Sequence, residues 1–147
     1  MKREEMLKKF GGGEKVKLCR VSATINNNNG SSVFEGGQFY FFDENIDHEH
    51  YWVFAFNNDD EVNGDMLSLR FKKTIKTGRF KIESANEADV RAQFFGGVSG
   101  GELAFDGNIN ILRRDDHNKG IAEGDFDFIS ERVNSTDTVK GSFFKRP

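Results

Sequence analysis

From residue 19 onward, apolar and polar positions alternate with a period of two, the spacing of strands buried on one face and wet on the other. Cys19, Val21, Ala23 and Ile25 alternate with polar neighbours, and "NNNNG" at 26–30 then turns the chain. Leu67, Leu69 and Phe71 alternate with Ser68, Arg70 and Lys72. Phe80 and Ile82 alternate with Arg79, Lys81 and Glu83, and Val90, Ala92 and Phe94 with Arg91 and Gln93. Leu103, Phe105, Ile109, Ile111, Phe126, Phe128, Val139 and Phe143 continue the series. The turn clusters "NNDDEVNGD", "SANEAD", "GGVSGGE", "RRDDHNKG" and "ERVNSTD" separate these runs. About nine or ten short strands punctuated in this way predict an all-β fold. The expected form is a single-domain antiparallel β-sandwich or barrel over residues 14–147.

Residues 1–13 follow another rhythm. Met6, Leu7 and Phe10 share one side of a short predicted helix over 2–10, and "GGG" at 11–13 stops it. So short a helix persists only if its apolar side docks on something. Elsewhere glycine recurs two residues before a core Phe or Ile, in "GGQFYF", "GRFKI", "GNINI", "GDFDF" and "GSFF". No helix follows any of them, so they read as bulges and bends of a curled sheet, not as phosphate-cradling loops.

The hairpin over 38–42 and 51–56 departs from alternation. Phe39 and Phe41 group with Trp52, Phe54 and Phe56 on one expected face, and Tyr40, Phe42, Tyr51, Val53 and Ala55 on the other. A sandwich covers one sheet face only, and a contiguous apolar patch rarely stays in water. The helix, a protein partner, a second copy of the chain or a small apolar ligand would cover it. Tyr40, Phe42, Tyr51 and Trp52 are the expected binding residues.

Composition sharpens this picture. Sixteen Phe among 147 residues predict a core built from rings. A net charge of −3 gives no basic excess, which argues against nucleic acid. "MKREEMLKKF" carries no apolar signal region, and no stretch approaches the roughly 20 apolar residues of a membrane span. The expected location is cytoplasmic, with processed or leaderless export left open. Cys19, the single cysteine, forms no internal disulfide, and charge rather than an apolar leader precedes it.

Candidate chemistry is thin. His48 and His50 at i and i+2 would lie about 7 Å apart along a strand, and with Asp43 they form a candidate divalent-metal set for a metal-dependent enzyme. His117 joins only if its turn lies at the same end of the fold. "DENIDHEH" between Phe-rich strands reads equally as a water-facing hairpin loop. "DDEVNGDMLSLR" at 59–70 begins like a calcium loop, but Arg70 stands where the bidentate Glu belongs. Lys72, Lys73, Lys76, Arg79 and Lys81 form a basic group that reads as a solvated sheet face or a site steering an anionic partner. Cys19 points to the core as an inert group, and "GVSGG" at 97–101 lacks the helix of a nucleophile elbow. Asp125 and Asp127 share one face, at a spacing that would suit an acid–base pair or plain solvation.

The resulting expectation is a non-enzymatic recognition module that binds a protein partner or itself through the aromatic face, with no cofactor. A carrier-type barrel for a small apolar ligand, and the His-x-His enzyme, are the alternatives.

Overall fold

The computed structural model describes residues 14–15, 20–42, 49–57, 65–95, 103–113, 121–132 and 135–144. Their strands are β1 (Glu14–Lys15), β2 (Arg20–Asn27), β3 (Gly30–Phe42), β4 (His50–Asn57) and β5 (Met66–Lys72). They continue with β6 (Gly78–Lys81), β7 (Val90–Phe95), β8 (Asp106–Arg113), β9 (Ile121–Arg132) and β10 (Ser135–Phe144). The fold is all-β, and the pairings between these strands are antiparallel. The order is β6-β8-β9-β10-β2-β3-β4-β5-β7, with β1 beside β3. Among the described residues there is no helix, and so none long and apolar enough to cross a membrane. The helix expected over 2–10 lies outside the described residues.

Local chemistry explains the β2–β3 hairpin. Asn27 pairs with Gly30, leaving Asn28 and Asn29 as the turn. The Asn29 N–H donates to Asn27 Oδ1 at 2.9 Å, the Asx arrangement that short polar side chains supply. Asn27 Nδ2 donates in turn to the buried Asp137 carboxylate at 3.0 Å, which ties this turn to β10.

Alternate residues of β2, β5, β7, β8, β9 and β10 enter one core, from Val21, Ala23 and Ile25 through Leu67, Leu69 and Phe71 to Val139 and Phe143, together with Phe34 of β3 and Val53 and Ala55 of β4. Rings meet across it. Phe71 and Phe143 lie 5.8 Å apart, and Phe34 meets Phe94 edge-to-face at 6.4 Å. These pairs join β5 to β10 and β3 to β7, strands that are not neighbours in the ladder. Each fully buried ring contributes about 1.5–3 kcal/mol.

The recurring glycines mark a bulge at one position and a close approach of strands at others. Pairing between β3 and β4 shifts between Gly36 and Gln38, a bulge in the "GGQF" run. At Gly107 and Gly141 a side chain would run into the main chain of the adjacent strand. The bulge also changes which positions share a face. Phe34 is buried before it, whereas beyond it Phe39 lies opposite buried Ala55 and Phe41 opposite buried Val53. Tyr40 lies opposite Phe54, and Phe42 opposite Trp52. The expected grouping of Phe39 and Phe41 with Trp52 is therefore corrected, because a one-residue slip of register exchanges the faces.

The two ends of the ladder approach each other. Ile82, just past β6, forms an isolated parallel bridge with Val90 of β7, and the Glu83 N–H donates to the Val90 carbonyl at 3.2 Å. Strand pairing goes no further there among the described residues. The exposed Arg79 and Lys81 place charge along β6, which discourages pairing with another chain.

Candidate functional site

The second face of β5 and β7 differs from that of β9 and β10. In β9 and β10 the second-face positions Asp125, Asp127, Thr138 and Lys140 are exposed, as alternation predicts. In β5 the residues from Met66 to Phe71 are all buried. Ser68 is 6% exposed and Arg70 5%, although their polar character predicts a wet face. Tertiary cover overrides the local pattern here.

Register gathers the chemistry of this face into rows. Tyr40 lies opposite Phe54, which lies opposite Ser68, which lies opposite Gln93. Phe42, Trp52, Arg70 and Arg91 form the next row, and Phe56, Met66 and Phe95 another. Three of the four expected binding residues, Tyr40, Phe42 and Trp52, therefore occupy neighbouring positions of one face. Tyr51 has the other parity, opposite Phe71 and in line with Val53 and Ala55.

At the β5–β7 end the face becomes polar. Arg70 Nη2 donates to the Asn86 carbonyl at 2.7 Å, and Arg91 Nη1 donates to Asn86 Oδ1 at 3.3 Å. Ser68, Arg70, Arg91, Ala92, Gln93 and Leu103 line a pocket of about 60 Å³. Leu103 comes alongside through a bridge to Gln93, supported by the Ala104 N–H donating to the Ala92 carbonyl at 2.9 Å. Sequence reasoning missed this pocket. Each arginine reads singly as the outward member of an alternating strand, and β5 and β7 become neighbours only because β6 pairs elsewhere.

Of the candidate metal set, His50 is the first residue of β4, buried and opposite Lys72. A water-facing position is corrected for this histidine. His48, Asp43 and His117 lie outside the described residues. Among the described residues, no three His, Cys, Asp or Glu stand close enough to hold a metal ion. Residues 59–64 of the calcium-like run lie outside the described residues too, as do Cys19 and 97–101. Asp125 lies between Asn110 and Ser142, and Asp127 between Asn108 and Lys140, so both belong to a polar, exposed face. In the basic group, Lys72 Nζ stands 3.2 Å from Asp89 Oδ1 in an exposed ion pair, while Lys76, Arg79 and Lys81 are exposed. Such a pair contributes about 0–1 kcal/mol. Comparison with protein-family models, curated proteins and solved structures finds no match.

Proposed function

We propose that this chain is a non-enzymatic recognition module of barrel-like build, which binds a protein surface, a second copy of itself included, through the face carrying Tyr40, Phe42 and Trp52. The observation that carries the reading is the register of β3 and β4. It aligns Tyr40 with Phe54 and Phe42 with Trp52 on the face opposite to the buried Val53 and Ala55. Aromatic residues dominate the cores of protein interfaces because they bring large, rigid area at low conformational cost. The barrel-like build is supported by the bridge between the ladder's two ends at Ile82 and Val90 and by ring contacts between non-neighbouring strands. Those rings occupy the interior with one another, which favours recognition on the outer face over carriage of an apolar molecule inside.

The test is the solution mass of the full chain as a function of concentration, beside that of a Tyr40→Ser/Phe42→Ser variant shown by circular dichroism to remain folded. The expected result is concentration-dependent association that the variant abolishes. A chain monomeric at all concentrations, with solubility unchanged by the double substitution, overturns the reading. Saturable quenching of Trp52 by an apolar fluorophore, without change of mass, would favour the carrier instead.

A further inference from the structure

We propose that the outer face of β6, β8 and β9 is a docking surface for a second copy of this chain, seated face to face about a two-fold axis along β8. Register sets two rows across these strands. Arg79 lies opposite Asn110, which lies opposite Asp125, and Lys81 lies opposite Asn108, which lies opposite Asp127. Each row therefore runs positive, neutral, negative in the same order. The rows face outward, because the intervening Ile109 and Phe126 are in the core and Phe80 packs against it. Arg79, Lys81, Asp125 and Asp127 are exposed and form no ion pair among the described residues. Within one chain their charges stay apart, since β6 and β9 stand about 10 Å from each other with β8 between them.

A two-fold axis in the contact plane, parallel to β8, carries β6 of one copy over β9 of the other and keeps every residue at its own level along the strands. Arg79 then stands over the partner's Asp125 and Lys81 over the partner's Asp127, and the symmetry repeats both pairs. A two-fold contact needs a self-complementary surface of this kind. On the axis Asn108 and Asn110 meet their own copies, and a carboxamide both donates and accepts, so it pairs with itself. Isolated exposed ion pairs contribute little, but four pairs fixed in rows on one sheet form a network. Lys140 lies opposite Asp127 on its other side without forming an ion pair, which leaves Asp127 open to the partner's Lys81. Asp106, exposed on the same line of β8, would meet its own copy and oppose the contact. The surface uses none of Tyr40, Phe42 and Trp52 and does not rest on the recognition reading above.

The test is sedimentation of the full chain carrying Tyr40→Ser/Phe42→Ser, so that the aromatic face takes no part. It is run at about 0.01 M and about 1 M salt, where charge acts over about 30 Å and about 3 Å. A dimer is expected at low salt and a monomer at high salt. The wild-type chain is run beside it, and a rise in its mass from high to low salt carries the same reading. Arg79→Glu/Lys81→Glu makes β6 as acidic as β9, and Asp125→Lys/Asp127→Lys makes β9 as basic as β6. Either change, added to the same background, is expected to leave a monomer at low salt. Mixed one to one, the two variants should recover the dimer, because acidic strands then face basic ones in all four pairs. Asp106→Asn should lower the dissociation constant at low salt. The substituted charges are exposed, so these variants are expected to fold, as an unchanged Tm would verify. A monomer at low salt, a dimer that persists at 1 M salt or in either charge variant alone, or a mixture that stays monomeric overturns the proposal. Any of these results leaves the aromatic face to be judged by its own test.

Discussion

At Gly141 the main chains of β10 and β2 come so close that an added methyl would meet the Ser22 carbonyl oxygen and, at 2.6 Å, the Ala23 Cα. Backbone cannot turn aside as a side chain can, so Gly141→Ala must displace one strand from the other. The expected cost is about 1–3 kcal/mol in urea unfolding. At Gly124 the nearest atoms belong to the Phe143 ring, at 2.6 Å, which has a rotatable side chain with which to respond. Gly124→Ala should therefore cost less than Gly141→Ala. Equal midpoints for Gly141→Ala and wild type would show that the strands are not so tightly opposed. The recurring glycine was legible as a place where a strand bends or another backbone comes close. Which strand each glycine crowds was not, because that depends on the partner across the ladder.

Elements differ in how far their pattern foretold their surroundings. β9 and β10 keep strict alternation, with Phe126, Phe128, Val139 and Phe143 buried and Asp125, Asp127 and Lys140 exposed. β5 has the same kind of pattern but is buried on both faces. Met66→Ala, on the second face of β5, should cost about 2–5 kcal/mol, the range for emptying a packed site. Asp127→Ala on β9 should stay within about 0.5 kcal/mol. Chemical denaturation of both variants checks the contrast, and a neutral Met66→Ala would mean that the second face of β5 is solvated after all. The candidate site followed the same division. Tyr40, Phe42 and Trp52 were legible as unusual because too many rings crowd one hairpin. The Arg70–Arg91 pair was not, since alternation accounts for each arginine separately.

Across the whole molecule, the ladder curls until distant strands touch. β10 and β5 have β2, β3 and β4 between them in the ladder, yet Phe143 and Phe71 lie 5.8 Å apart. A double-mutant cycle on Phe71→Leu and Phe143→Leu should give a coupling of about 0.5–1.5 kcal/mol, as expected for aromatic rings in contact. Strictly additive effects would place the two strands in separate cores. The all-β class, the Asn-rich turn at Asn28–Asn29 and the inward residues of most strands were determined by the sequence itself, because period-two alternation and polar turn residues act over a few residues. Three features were decided only in the tertiary structure: the face shared by Tyr40, Phe42 and Trp52, the burial of β5 on both sides, and the opposition of Arg70 and Arg91. Each depends on register or on cover supplied by residues far away in the chain. A bulge at Gly36–Gln38, or the diversion of β6 to β8, changes such neighbours without altering any local pattern.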